Sequence, residues 1–284
     1  MTALRLSLGL PPMPTTPDLA VLAEELGYER VWLYDSASIW EDVWVHLGLI
    51  ADRTERIGLG TAVLVPNLRH VMTTASAIAT IARLAPGRLA VALGTGFTAR
   101  LVMNQKALTW ATTERYVRAL RGLLAGEVVE IDGERCQMIH HPDLAAPRPI
   151  EVPVLLSAFG PKGQAIAAEV ADGLMHVAPP EGGSDWDWYV QLVHGTVLDP
   201  GEGPSAERVV AAAGPWEVLS HHGAWHLAGP EVAAMLPGGE DWLARVEAAR
   251  PEGERHLAVH EWHCTHVNER DRPLLAGKGT EADP

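Results

Sequence analysis

Apolar runs of four to eight residues alternate along this chain with longer stretches in which apolar residues return every three or four positions. The short runs suit buried strands and the longer ones amphipathic helices, so the pattern predicts repeated strand–helix units and a parallel sheet. LRLSLGL (4–10) predicts the first strand and TPDLAVLAEELG (16–27) the first helix, where Thr16 can cap, Pro17 suits the first turn and Gly27 ends the helix. RVWLYD (30–35) and VWVHLGLIADRT (43–54) form the second unit. IGLGTAVLV (57–65) and RHVMTTASAIATIARL (69–84) form the third, stopped by Pro86 and Gly87. The fourth is RLAVALGTG (88–96) with a helix over 109–126.

Residues 127–151 break this rhythm. VVEIDGERCQMI alternates around Asp132-Gly133 and predicts a hairpin, followed by a proline-rich connector, which together read as an insertion. The rhythm resumes with VPVLLSAF (152–159), a helix over 161–171 and GLMHVAP (173–179). Beyond residue 181 the pattern weakens into a divergent helical part, with helices predicted near 185–198, 206–222 and 239–250. Strands seven and eight have no clear signature there.

The expected architecture is an α/β fold of the (β/α)8 barrel type, a single domain over 1–284, with its chemistry on loops at the carboxyl ends of the strands. An open doubly wound sheet competes with it. Against that sheet, the first strand–helix turn, GLPPMPTTPD, lacks a glycine-rich fingerprint. GTGFTA (94–99) has the G-x-G-x-x-A form, but no acid stands at the end of the next strand.

Composition narrows the partners. The 284 residues are 47% hydrophobic and carry 22 basic against 36 acidic side chains, a net charge of −14, which argues against general affinity for nucleic acid or anionic lipid. The two cysteines, Cys136 and Cys264, have no paired spacing, and the first apolar run is too short for a signal peptide or membrane span, so a cytoplasmic protein is expected.

The predicted rim consists of Leu10–Met13, Tyr34–Trp44, Gly60–Asn67, Gly94–Arg100, Ser157–Lys162 and His176–Pro180. Two of these loops suit an anion. GTGFT lets backbone N–H groups approach a ligand without a Cβ in the way. SAFGPKG ends a strand and opens a helix, whose free N–H groups favour a phosphate, with Lys162 adding charge. The plainer reading of Gly160-Pro161 is a strand–helix turn and nothing more.

RVWLYDSASIWEDVW, IGLGTAVLVPNLRHVMTTASAIATIARLAPGRLAVALGTGF, TERYVRALRGLLAGEVVEIDG and VPVLLSAFGPKGQAIAAEVADG together resemble the bacterial luciferase-like superfamily. Within it, the chain is most similar to the methylenetetrahydromethanopterin reductase-like branch of deazaflavin- or flavin-dependent oxidoreductases, over roughly residues 1–180. The resemblance implies a barrel that binds coenzyme F420, or alternatively FMN, at the carboxyl rim. It implies a bulge at Thr61, Ala62 and Val63, often with a cis peptide, behind the middle of the ring. It implies contacts from Thr95, Gly96 and Phe97, and from Ser157, Ala158, Phe159, Gly160 and Lys162 around the phosphate. Asp35 is implied to face the ring. The candidate catalytic residues are Asp35, Ser36 and His70.

Two departures matter. In the sugar-phosphate dehydrogenases of that family a histidine follows the acid and a glutamate follows the Thr-Gly pair; here those positions hold Ser36 and Phe97. The acid/base pair of that subgroup is absent, and Phe97 suits the wall of an apolar pocket. The resemblance also implies a homodimer through the helix-two and helix-three side, and in the FMN case a separate reductase supplying reduced cofactor.

Other residues admit two readings each. Trp40 and Trp44 lie on the predicted rim, yet aromatic residues more commonly pack in cores. His46 fits the apolar stripe of helix two. His256, His260 and His263 would share one face of a helix and can bind zinc or iron there, but no HExxH accompanies them, and no metal ligand set is assigned. A metal-dependent hydrolase using these histidines and a flavin-binding relative without turnover are the other functional classes the residues admit.

Overall fold

Seven of the apolar runs pair side by side in one parallel sheet, as the alternation with helices requires. The structure, a computed structural model, describes residues 5–179 and 186–275. Leu4 and Asp185, which open two of the predicted segments, and Pro180, which closes a third, lie outside them. In chain order the elements of the first unit are β1 (Ser7–Leu10), α1 (Thr16–Glu25), β2 (Arg30–Leu33), α2 (Val43–Arg53), β3 (Gly58–Leu64), α3 (Val71–Leu84), β4 (Leu89–Leu93), α4 (Phe97–Leu101) and α5 (Trp110–Ala125). They continue with β5 (Val129–Ile131), β6 (Glu134–Cys136), β7 (Val154–Ser157), α6 (Pro161–Val170), β8 (Gly173–His176) and β9 (Trp188–Gln191). By its contacts the chain divides into this unit, residues 1–100 and 106–192, and a second one of residues 101–105 and 193–284.

The strand order is β1-β2-β3-β4-β7-β8-β9, so each strand lies beside its predecessor in the sheet. That winding goes one way round and excludes the doubly wound sheet, whose order reverses at a switch point. The sheet is a curled half-barrel among the described residues, with β1 and β9 at its edges, rather than eight strands. No eighth strand follows β9 there, because residues 193–206 carry Gly195, Pro200, Gly201, Gly203 and Pro204, which suit turns.

The helix predicted over 185–198 is a correction. Its described part holds β9, whose Trp188 and Val190, with Leu192 just beyond, pack against the sheet's inner cluster while Tyr189 packs on the other face. The period is two, not 3.6. Thr16 is likewise the first helical residue, not the cap. Its hydroxyl donates to the Pro11 carbonyl and accepts the Met13 N–H. Between α5 and β7, β5 and β6 pair as an antiparallel hairpin, with Asp132 (φ 54°) and Gly133 (φ 86°) supplying the left-handed turn that Asp-Gly favours.

The two faces of the sheet are filled differently. Outward, Val31, Leu33, Leu59, Val91, Leu93, Val154 and Leu156 meet the apolar faces of the helices in one buried core. Inward, small residues stand on β3 and β4 while Trp32 fills the space they leave, with Ala90, Ala92, Leu155 and Met175 around it. At Gly60 this is a close approach: a Cβ there would lie 2.3 Å from the Trp32 ring. Below Trp32, Arg30 is buried, and no carboxylate among the described residues forms an ion pair with it. Its guanidinium donates to the carbonyls of Leu59 (2.5 Å) and Arg88 (2.6 Å) and sits 5.4 and 5.2 Å from the ring centres of Trp32 and Trp188. Burial lowers it to about 10, so it stays charged at neutral pH. One cation thereby links β2, β3 and β9 through carbonyls and aromatic faces.

In the second unit the elements are α7 (Glu207–Glu217), α8 (Leu219–Leu227), α9 (Pro230–Ala234), α10 (Gly239–Ala249) and α11 (Arg255–Val259). The single helix predicted near 206–222 is two helices meeting at Val218. None of the described helices is long and apolar enough to cross a membrane.

Gly60→Ala is expected to lower stability by about 1–3 kcal/mol, because a rigid indole ring faces the added methyl. Urea unfolding measures it, and Trp32→Leu in the same chain should recover part of the loss.

Candidate active site

Because all seven strands run parallel, their carboxyl ends share one rim. The ends of β3, β4 and β7 lie side by side there. The register of β3 against β4 shifts between Thr61 and Leu64, a bulge, and the Ala62–Val63 peptide within it is cis. The bulge turns Val63 towards the start of the β4 loop, where a Cβ on Gly94 would lie 2.8 Å from Val63 Cγ2 and 3.6 Å from Ser157 Cβ. Gly94 also donates its N–H to the Leu64 carbonyl at 3.0 Å. Three chain breaks far apart in sequence therefore converge on a residue with no side chain. Gly96 completes the loop in the left-handed region (φ 84°), and a Cβ there would lie 2.4 Å from Val65.

The predicted residues divide into those with free groups and those already engaged. Thr61 is fully buried, and its hydroxyl donates to the Ala92 carbonyl (3.1 Å) and accepts the Ala92 N–H (3.2 Å), tying β3 to β4. Ala62 and Val63 are half-buried beside the inner cluster. The Thr95 carbonyl accepts the Leu108 N–H. Phe97 opens α4 with 48% of its surface exposed, as a pocket wall would be. Ser157 is half-buried and Ala158 buried, while Phe159 stands exposed against His176, ring centres 5.2 Å apart. His176 accepts the Ala178 N–H at Nδ1, so Nε2 carries the proton and faces the Phe159 carbonyl.

Gly160 precedes α6 with no side-chain cap, and Pro161 has no N–H, which leaves the amides of Lys162 and Gly163 unclaimed by the helix. The space in front of Gly160 is open, and Lys162 is exposed on the first turn. An uncapped helix start with a lysine on its first turn has the charge and geometry that favour an anion.

Asp35 is buried at the end of β2, and its two carboxylate oxygens each lie 2.8 Å from Arg69 Nη1; Arg69 Nη2 donates to Asp42 at 2.7 Å. Burial pushes the Asp35 carboxyl above its ordinary range, against the opposing hydrogen bond and charge of Arg69. Burial would lower the Arg69 guanidinium, but the two aspartates raise it. Its carbonyl accepts the Tyr116 hydroxyl (3.2 Å), which also bonds Thr74 (2.6 Å). Asp35 is thus a fixed, compensated charge. Arg69 and Tyr116 were not foreseen as part of this group; an arginine on the rim loop facing a strand-end acid was the available signal.

Ser36 is buried, and its carbonyl accepts the N–H groups of Ile39 and Trp40. His70 is exposed and caps α3, its Nδ1 accepting the Met72 N–H at 3.2 Å, so only Nε2 faces outward. His46 is buried and bonds Glu41 (2.6 Å). Trp44 packs on the outer core, and Trp40 stacks obliquely on Tyr34.

Fold and site together define an α/β protein whose curled parallel sheet carries glycine-lined loops at its carboxyl rim. The chain belongs to the luciferase-like monooxygenase family, whose model matches residues 4–215. Among curated relatives, it is 32% identical over 218 residues to a 5,10-methylenetetrahydromethanopterin reductase of Methanolobus tindarius, covering 73% of this chain and 64% of the relative. It is 35% identical over 177 residues to an F420-dependent glucose-6-phosphate dehydrogenase of Beutenbergia cavernae, covering 55% and 50%. The chain thus spans between half and two thirds of these relatives. In fold it matches the coenzyme F420 dependent tetrahydromethanopterin reductase of Methanopyrus kandleri with a TM-score of 0.64 at 18% identity, over 96% of this chain and 85% of that one. A monooxygenase of Streptomyces bottropensis matches at 0.57 and 18%, over 95% and 96%.

Arg69→Met leaves the Asp35 carboxylate buried without its cation and is expected to cost about 3 kcal/mol. The sign with pH follows from the raised carboxyl. The folded variant holds a proton that the unfolded chain releases, so the deficit should shrink as pH falls from neutrality, read by urea unfolding across pH.

Proposed function

We propose that this protein is an F420-dependent oxidoreductase that moves hydride between the coenzyme and a small organic substrate at the carboxyl rim. The observation that carries this reading is the gap at Gly94, where the ends of β3, β4 and β7 meet without a side chain beside the uncapped start of α6. The residues fit such a group. Ala62 and Val63 offer an apolar backing to a flat ring, and Lys162 with the first amides of α6 offers a seat for a phosphate. When bound, the deazaflavin supplies a ring carbon that takes or gives hydride. The chain's part is to hold and orient: Asp35, locked by Arg69, presents a fixed charge, and Phe97 offers an apolar wall that keeps water from the reacting face.

The names of the relatives support the coenzyme, but Ser36 and Phe97 do not support a sugar phosphate as substrate. The family's description as monooxygenases favours a second reading, in which reduced FMN from a separate reductase serves oxygen chemistry. Self-association is also proposed, through the α2 and α3 side; Val45 and Leu49, 61% and 47% exposed and one helical turn apart on α2, support it.

Fluorescence titration of the purified chain should give micromolar binding of F420 and weaker binding of FMN; binding of FMN alone would overturn the preference. Gly94→Val should weaken F420 binding by at least about tenfold, ~1.4 kcal/mol, with an unchanged circular dichroism spectrum. Val45→Glu should shift the mass measured by light scattering from dimer to monomer.

A further inference from the structure

In the second unit three imidazoles converge on one point. His222 stands on α8, His260 directly follows α11, and His263 lies on the turn beyond it. His263 Nδ1 is 2.9 Å from His222 Nδ1 and 3.0 Å from His260 Nδ1, and the ligand nitrogens of all three lie within 4.8 Å of one another. All three side chains are buried. The set differs from the one expected on a single helical face: α11 is only five residues long, His263 is off it, and His222 replaces His256.

Hydrogen bonding alone leaves this cluster incomplete. Asp271 Oδ1 accepts the Trp242 Nε1–H at 2.9 Å and faces His222 Nε2 at 3.3 Å. That carboxylate favours the proton of His222 on Nε2, so its Nδ1 presents a bare lone pair to the cluster. One proton on His263 Nδ1 can lie in line with one of its two neighbours and not both. The other ring nitrogen of His260, Nε2, is buried with no hydrogen-bond partner among the described residues. The chain also contorts to bring His263 here, with Trp262 (φ 61°) and Cys264 (φ 59°) on either side of it in the left-handed region that side chains rarely adopt.

We propose that His222, His260 and His263 bind a divalent d-block cation, zinc by the chemistry of the donors, through their Nδ1 atoms, with Asp271 orienting His222 from behind. Three imidazoles around one point are a zinc set, and bonds of about 2.0–2.1 Å in a tetrahedron separate the nitrogens by roughly 3.3 Å, a few tenths more than the 2.9 and 3.0 Å that separate His263 Nδ1 from its two neighbours. Water completes the fourth position. The ion is a structural staple. It ties α8 to the turn after α11 in a unit whose buried apolar cluster is small: Val218, Ala233, Trp242, Val246, Ala258, Val259 and Leu274. The inference concerns this unit alone and stands independently of the coenzyme at the rim.

The test uses the full, untagged chain, stripped with a chelator, dialysed, and titrated with Zn²⁺ and separately with Co²⁺. One zinc per chain should survive gel filtration, the Tm should rise by at least about 4 °C on adding Zn²⁺, and Co²⁺ should give the visible d–d bands of a tetrahedral complex. Asp271→Asn should weaken zinc binding by about 10–100-fold, and His222→Ala with His263→Ala should abolish the bands. A chain that elutes metal-free with unchanged Tm and a colourless Co²⁺ form overturns the proposal. So does stoichiometric metal retained by the double variant. The wild-type Co²⁺ spectrum decides even where a variant fails to fold.

Discussion

Between Val63 and Ser157 there is room for a hydrogen atom but not for a methyl group, and that gap at residue 94 brings the ends of β3, β4 and β7 together. The bulge at Thr61–Leu64 and the hydroxyl of Thr61 set the angle of approach from one side, and the β4–β7 register sets it from the other. With no side chain there, the β4 loop offers backbone where other loops would offer bulk. The open turn before α6 follows directly from β7, so its free amides belong to the same rim segment.

Two cations of the first unit, buried Arg30 and half-buried Arg69, are compensated by different means. Arg30, beneath the rim, is held by carbonyls and indole faces, and it remains charged. Arg69, at the rim, has two aspartates and a tyrosine behind its carbonyl. The first arrangement braces the inside of the sheet. The second holds the Asp35 carboxylate against Arg69 through two 2.8 Å contacts at the end of β2.

The second unit meets the problem of a small core with polar groups. Trp242 lies at its centre, stacked on His222 and bonded to Asp271, and the same aspartate reaches the histidine cluster. Buried imidazoles in such number are costly unless every nitrogen is engaged. A bound cation engages three of them at once.

The alternation of short apolar runs with helical stretches determined the parallel sheet, the places of its first six strands and the rim on which their loops gather, because periodicity is a local property of the chain. The Asp-Gly hairpin was equally legible, since a left-handed turn is a demand of two adjacent residues. Strand β9 was not: WDWYVQL is short and aromatic, and only packing of Trp188, Val190 and Leu192 against the inner cluster distinguishes it from a helix. The motifs marked Gly94, Thr61 and Asp35 as rim residues, but which groups were free and which engaged depended on partners distant in sequence. Thr61 is consumed by Ala92 and Asp35 by Arg69. The histidine cluster joins residues 222, 260 and 263 across a break in helix that no period announces, so tertiary structure alone decided it: the sequence lists donors, and only folding aims their lone pairs at one point.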